Sequence, residues 1–185
     1  GRIWLGGFEW DSGQGELSIY DGNSFATLTT EDGLPSGAVD CIFPATDGVM
    51  WMGTGGRGQH LKGGVARYDG KGLVIFTTAD GLVSNQVFSI YQTSNGAFWF
   101  GTDKGVSVYH PTEFHRISEA DGLVNNDVTV IHRDPDGVFW FGTKGGISKY
   151  DGKHFANFTI RDGLLNNHIV DIERVEVALT ESNRQ

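Results

Sequence analysis

The chain has 185 residues, which is enough for one domain or one array of repeats, and its 38% of apolar and 12% of aromatic residues exclude a disordered chain. Its net charge of −9 argues against nucleic acid as a partner and against contact with an anionic membrane surface. Because Cys41 is the only cysteine, the chain can form neither an internal disulfide nor a thiolate zinc cluster.

No apolar run approaches the ~18 residues of a membrane span, and the sequence shows no signal peptide. The chain opens on Gly1 instead of Met and is already in a repeating pattern at Trp4. We therefore expect it to be a piece of a longer protein.

Short runs rich in Val, Ile, Phe, Trp, Tyr and Thr predict strands along the whole chain, and no segment shows a sustained helical period. Strands are counted outward from the centre of the propeller. The first predicted unit lacks strand one, because no room precedes Trp4 for an innermost strand, so it holds strands two to four, and each later unit has all four. A single strand, HIVDIE, follows the last unit. The units cover about residues 1–36, 37–84, 85–125 and 126–166, with a closing strand in 167–174 and a tail in 175–185.

Tight turns separate the predicted strands. Asn-Gly and Asp-Gly pairs tolerate the positive φ of hairpin turns whose twist matches that of the strands. Such pairs separate the first and second strands of a unit at Asp47-Gly48, Asn95-Gly96 and Asp136-Gly137, and the third and fourth strands at Asp21-Gly22, Asp69-Gly70 and Asp151-Gly152. One unit departs from this pattern, since His110-Pro111 replaces the Asp-Gly pair.

A string beginning Asp-Gly-Leu follows the fourth strand of each unit. It begins at Asp32, Asp80, Asp121 and Asp162, in steps of 48, 41 and 41 residues. A period near 41 with four short strands per unit is typical of a propeller blade, and the string then marks the crossover to the next blade. The predicted fold is an all-β β-propeller of four-stranded antiparallel blades, four of them in this chain.

The last complete repeat carries a family resemblance. Its stations are Asp121-Gly122-Leu123, Asn126, Val128, Ile131, Asp134, Asp136-Gly137, Trp140, Gly142-Thr143, Gly146-Ile147-Ser148, Tyr150 and Phe155. This pattern resembles the two-component regulator propeller repeat from about Ile3 to Arg174. The resemblance implies a ligand-sensing region of a membrane-bound hybrid regulator, outside the cytoplasm (periplasmic or at the cell surface) and ahead of a kinase. The chain itself shows no membrane helix, kinase or DNA-binding segment.

The arrangement of the four blades has two possible forms. The repeat stops after Arg174, because the next tryptophan station is Glu181. A ring closed by residues 168–173 beside the first strand would end there and would leave no exposed sheet edge, which favours closure. The alternative is a slice of a larger propeller, since rings of this family resemble larger propellers.

The predicted binding site is a rim of loops and crossovers. The spacing between the tryptophan and tyrosine stations is longer in the first two units, so long loops join their second and third strands. These loops open on the face that carries the crossovers, and loops on a rigid scaffold commonly bind ligands. The candidate ligand-binding residues are Trp10, Arg57, His60 and Lys62 from the loops, and Asn85, Asn126 and Asn167 from the crossovers.

Structural roles compete with each of these assignments. The Asp-Gly-Leu aspartates are expected to cap turns and not to bind calcium, and the asparagines to hydrogen-bond local backbone. The tryptophan stations are expected in the core between blades, and Cys41 to be a small buried residue. No metal site, cofactor or catalytic residue is predicted.

Two functions remain open. The first is a non-catalytic module that binds a small molecule, a glycan fragment or a partner protein on the rim. The second is an enzyme of the streptogramin-lyase type, for which His60, His168 and Asp127 are possible members without a linking motif. The crossover pattern favours the first.

Overall fold

A computed structural model describes residues 1–9, 14–35, 38–55, 63–111 and 113–175, with the side chains of residues 8, 9, 14 and 15 left aside. The strands are β1 (Ile3–Glu9), β2 (Gln14–Tyr20), β3 (Phe25–Leu28), β4 (Val39–Pro44), β5 (Met50–Thr54), β6 (Gly64–Tyr68), β7 (Leu73–Phe76), β8 (Val87–Gln92), β9 (Phe98–Thr102), β10 (Gly105–His110), β11 (Glu113–Ile117), β12 (Val128–Arg133), β13 (Phe139–Thr143), β14 (Gly146–Tyr150) and β15 (Phe155–Phe158).

The strands form four antiparallel sheets, which we call blades one to four. Blade one has the order β1-β2-β3, and the others have the orders β4-β5-β6-β7, β8-β9-β10-β11 and β12-β13-β14-β15. Within the described ranges the helices are three 3₁₀ turns of three residues, Thr30–Asp32, Glu119–Asp121 and Ile160–Asp162. The prediction of an all-β propeller with four-stranded blades is confirmed. No helix in the described part of the chain is long and apolar enough to cross a membrane.

The core lies between neighbouring blades. Trp51 of blade two is 3% exposed, and its ring centroid lies 4.2 Å from that of Phe98 in blade three. Trp99 of blade three stacks on Phe139 of blade four at 4.0 Å. Aromatic side chains bury large apolar areas, and ring contacts of this kind add further stabilisation. These pairs therefore hold blade two against blade three, and blade three against blade four. Trp51 and Trp99 therefore pack between blades, as expected, whereas Trp140 stacks on Phe158 of its own blade.

A glycine near the end of the second strand lets the next blade approach closely. A Cβ on Gly53 would lie 2.6 Å from the Cys41 sulfur and 2.6 Å from the Val87 carbonyl oxygen. Gly101 has the same relation to Val128, and Gly142 to Ile169. Burial raises the pKa of the Cys41 thiol to about 12, so the thiol stays neutral and acts as a small packing group.

The preferred closed ring of four blades is wrong. Among the described residues, β1 pairs with β2 alone, and residues 168–173 form no strand. The Ile169 amide instead donates to the Thr143 carbonyl at 2.9 Å, and Thr129 Oγ1 donates to the Ile169 carbonyl at 2.5 Å.

The reason is that Ile169 packs at Gly142 as Val87 packs at Gly53. Its segment therefore continues the arc beside blade four and does not return to blade one. Ile3 and Leu5 on β1 are 57% and 47% exposed. The slice of a larger propeller is the alternative that agrees with this structure.

Candidate functional site

The crossover turns, which we define as residues 29–34, 77–82, 118–123 and 159–164, share one set of hydrogen bonds. In the first, Asp32 Oδ2 accepts from the Thr29 amide at 2.9 Å and from Thr29 Oγ1 at 3.2 Å, and the Leu34 amide donates to the Thr29 carbonyl at 3.0 Å. Gly33 at φ +94° completes the turn, in a conformation that other residues rarely adopt. Asp80, Asp121 and Asp162 repeat the same bonds in their own turns.

These bonds give the repeated aspartates a capping role. Each carboxylate satisfies the backbone donor and the hydroxyl that open its turn. Among the described residues, no group of three or more His, Cys, Asp or Glu side chains could hold a metal ion. The repeated aspartates are therefore part of the architecture of the crossover turns.

The three candidate asparagines follow the crossover turns and hydrogen-bond back to the start of each turn. The side-chain oxygens of Asn85, Asn126 and Asn167 accept from backbone amides seven residues earlier, at Thr78, Glu119 and Ile160, with distances of 2.7 to 2.8 Å. The amide oxygens thus hold the backbone in place. Ligand binding by these asparagines stays a prediction.

Trp10, Arg57, His60 and Lys62 lie outside the described residues, so their place in the site also stays a prediction. The first long spacing has a structural cause that the sequence analysis missed. β1 and β2 pair as far as Glu9 opposite Gln14, so most of the predicted loop consists of two longer strands.

The base of the second long loop rests on a crossover, as the predicted rim requires. The Gly55 amide donates to the Ala38 carbonyl at 3.1 Å, and a Cβ on Gly55 or Gly63 would collide with the Asn85 carbonyl. The short loops of blades three and four make corresponding contacts, from Gly105 to the Asn126 carbonyl and from Lys144 to the Asp127 carbonyl. Loops and crossovers therefore share one face.

The polar groups of the third crossover are largely paired with one another. Lys144 Nζ lies 2.5 Å from Asp127 Oδ2, and the Asp127 side chain is 18% exposed. Glu119 Oε1 accepts from the Asn126 amide at 2.8 Å. Asp127 is therefore engaged in an ion pair, His168 is exposed, and His60 is outside the described residues.

The opposite face carries the hairpins between third and fourth strands. Amide donors from His154 and Lys153 hold the pKa of Asp151 below its usual value, and the amides of Lys71 and Gly72 do the same for Asp69. His110 occupies the corresponding position in blade three. A cleft lined by His110, Trp99 and Arg133 lies beside this hairpin. The sequence did not predict this cleft, although the exception His110-Pro111 in the hairpin pattern marks its position.

Fold and repeat geometry define a propeller segment whose blades are joined by a capped Asp-Gly-Leu crossover. The family model described as two component regulator propeller matches residues 33–56, 81–104 and 122–145, and each match begins at the glycine of a crossover. These three segments are similar to the repeat of the two component regulator propeller family. No curated protein sequence matches the chain significantly.

Solved structures show the same fold. The extracellular domain of a putative hybrid two component system from B. thetaiotaomicron matches 91% of this chain with 23% identity and a TM-score of 0.72. The extracellular domain of a putative one component system from the same organism matches 91% with 21% identity and a TM-score of 0.71. In both cases the chain spans 23% of the length of the matched protein.

A propeller enzyme is a more distant structural relative. Virginiamycin B lyase from Staphylococcus aureus, in a catalytically inactive form with quinupristin, matches 88% of this chain with 13% identity and a TM-score of 0.58. The chain spans 61% of that protein. At this identity the similarity concerns the fold.

Proposed function

We propose that the chain is a non-catalytic binding module of a signal-transduction protein and that it works outside the cytoplasm. The observation that supports this most directly is the match of three crossovers to the regulator propeller repeat. The extracellular origin of the two B. thetaiotaomicron domains supports the location. Any kinase activity would belong to another part of a longer protein.

The proposed occupant of the rim is a small molecule, a glycan fragment or a partner protein. Blades three and four join their second and third strands by two-residue loops, whereas residues 55–63 join them in blade two. The longer loop rests on the crossover at Asn85, which is a rigid, hydrogen-bonded base. Loops that rise from such a base are a common location of binding sites.

A loop replacement tests this site with a graft from the same chain. Thr54 and Gly64 flank the long loop as Thr102 and Gly105 flank the short loop of blade three, and in both the threonine hydroxyl donates to the glycine carbonyl, at 3.1 and 2.7 Å. Replacing residues 55–63 with Asp-Lys, the sequence of the short loop, should therefore preserve the blade. We expect a melting temperature within a few degrees of the parent, because loops tolerate changes of length.

The readout is a thermal-shift screen of oligosaccharides and metabolites on both proteins. We expect compounds that stabilise the parent and leave the trimmed protein unchanged. A compound that stabilises both equally would place binding away from this loop. The enzymatic alternative has its own assay, because a lyase of the virginiamycin B type would consume quinupristin. We expect quinupristin to remain intact when it is incubated with the chain and magnesium.

A further inference from the structure

The face of blade three that packs on blade four differs from the corresponding faces of blades two and four in one row of side chains. Strand register places three residues side by side on the corresponding face of each blade. These are Trp51, Arg67 and Val74 in blade two, Trp99, Val108 and His115 in blade three, and Trp140, Lys149 and Ala156 in blade four. Blades two and four thus carry a long cationic side chain beside the tryptophan, and Lys149 Nζ lies 5.4 Å from the Trp140 ring centroid. Blade three has the short Val108 instead.

A second difference concerns the bridge between blades. At the junction of blades two and three, Gln92 Oε1 accepts from the Thr46 amide at 3.1 Å, which links the innermost strand of one blade to the hairpin of the other. Arg133 occupies the corresponding position at the next junction. Its Nε donates to the Gly137 carbonyl at 3.1 Å, and its Cζ lies 5.3 Å from the centroid of the Phe139 ring. Arg133 therefore turns toward its own blade, and no corresponding bridge forms between the described residues of this junction.

The third difference lies in the hairpin between β10 and β11. Asp69 and Asp151 accept two backbone amides each in the hairpins of blades two and four. In blade three the strands pair one step further, so that His110 lies opposite Glu113. His115 Nε2 lies 3.3 Å from Glu113 Oε1.

Together these differences leave a cleft of about 570 Å³ between blades three and four. Its apolar wall is formed by Trp99, Val108 and Phe139. Its polar side is formed by Arg133, His110, His115 and Glu113. The volume lies within the range of pockets that hold small ligands. The cleft is on the hairpin face, away from the rim of loops and crossovers.

Arg133 is the group of the cleft that favours an anion. Its guanidinium carries a fixed positive charge. The Glu113 carboxylate is exposed and pairs with His115. Within the described chain, the Arg133 hydrogen bond uses Nε only, which leaves both Nη groups for the two oxygens of a carboxylate. Trp99 and Phe139 provide an aromatic surface on which the apolar part of a ligand can pack.

We propose that this cleft binds a small carboxylate with a flat apolar body, such as an arylacetic acid. The carboxylate would meet the Arg133 guanidinium, and the ring would lie along Trp99 and Val108. This site is independent of the rim, so the protein with residues 55–63 replaced should keep it. The proposal and the proposed function can therefore fail separately.

Nuclear magnetic resonance of ¹⁵N-labelled tryptophan side chains tests the proposal. The chain has five tryptophans, and a Trp99→Phe variant identifies the Trp99 signal. We expect titration with phenylacetate or indole-3-acetate to shift the Trp99 signal selectively. The corresponding amides keep the ring and lose the charge, so we expect them to bind at least about tenfold more weakly.

Two substitutions taken from other blades give matched variants. Arg133→Gln introduces the residue of the preceding junction and should weaken carboxylate binding about tenfold. Lys149→Val introduces the blade-three residue in blade four, outside the cleft, and should leave binding unchanged. A third variant, Val108→Met, adds a long uncharged side chain at the position where blades two and four carry Arg67 and Lys149, and it should fill the cleft and abolish binding. A Trp99 signal that no carboxylate moves at millimolar concentration would overturn the proposal. Equal binding of acid and amide, or full binding by Arg133→Gln, would overturn it too.

Discussion

At the scale of single residues, the side chains that recur in every repeat mostly hydrogen-bond to the backbone. Asp162 accepts from the amide and hydroxyl of Thr159, and Asn167 accepts from the Ile160 amide. In a turn of this kind, no neighbouring strand supplies a carbonyl acceptor for these backbone amides, so a side-chain oxygen accepts from them instead. The repeated polar residues are thus explained by the hydrogen bonds that hold the crossover turns.

Removing one of these caps should cost a measurable part of the stability. We expect Asp162→Ala to lower the free energy of unfolding by about 1 kcal/mol, because two donors of the turn lose their acceptor. Arg161→Ala is the matched control, since the Arg161 side chain is exposed in the same turn and should change stability by less than about 0.5 kcal/mol. Urea denaturation measures both, and equal losses would contradict the capping role.

The hairpin aspartates predict a dependence on pH. Asp151 Oδ1 accepts from the amides of His154 and Lys153, at 2.7 and 2.8 Å, and these donors lower its pKa. A lowered pKa in the folded state stabilises the fold above the unfolded pKa of about 3.9, and this contribution is lost as the pH falls through the folded value.

Asp151→Asn keeps an oxygen acceptor without the charge. We expect the parent to exceed this variant in stability at pH 6, and the difference to shrink as the pH falls below about 4. Denaturation midpoints at a series of pH values measure it. A difference that stays constant down to pH 2.5 would contradict the role assigned to the ionised carboxylate.

At the scale of elements, blades associate through the glycine that ends the second strand's apolar run. A Cβ on Gly53 would lie 2.6 Å from the Cys41 sulfur and from the Val87 carbonyl oxygen. Backbone cannot give way as a flexible side chain does, so the next blade would have to move. This contact, repeated at Gly101 and Gly142, sets the spacing between innermost strands.

Gly53→Ala should therefore destabilise the protein by about 1–3 kcal/mol, the usual cost of overpacking. Gly72→Ala is the control, because a Cβ there meets no atom within 4 Å and its φ is not positive. We expect that control to be neutral or stabilising by up to about 1 kcal/mol, since alanine restricts the unfolded chain. Thermal and urea denaturation distinguish the two, and a neutral Gly53→Ala would show that the blades separate easily.

At the scale of the whole molecule, the four blades form an arc whose two ends do not meet in the described part of the chain. Ile3 and Leu5 are exposed at one end, and Ile169 covers Gly142 at the other. Sheet edges and apolar faces of this kind are where further chain or a partner can pack.

Truncation after Asn167 tests the arc against a ring. Removing Ile169 deletes its hydrogen bond to the Thr143 carbonyl and its packing at Gly142. We expect faster hydrogen exchange in β13 and unchanged exchange in β1. In a closed ring, the same deletion would instead expose the amides of β1, so increased exchange between Ile3 and Gly7 would contradict the arc.

Sequence by itself determined the blades. Asp-Gly and Asn-Gly turns, short β-rich runs and the Asp-Gly-Leu crossovers act over a few residues, so their positions show where each strand ends and the next blade begins. Trp51 and Trp99 were correctly expected between blades, because an aromatic residue at a fixed station amid apolar neighbours belongs to a core.

Tertiary structure alone decided how the blades are completed and where they leave space. Residues 168–173 run beside blade four because Ile169 packs at Gly142, and this packing competes with pairing to β1. The extension of β1 and β2 to Glu9 and Gln14 depends on cross-strand pairing. The cleft beside Trp99 depends on Val108 and on the direction of Arg133, residues that are distant in sequence and become neighbours only when two blades stack. Spacing along a chain predicts repeats, but a cleft arises from the difference between two packed junctions.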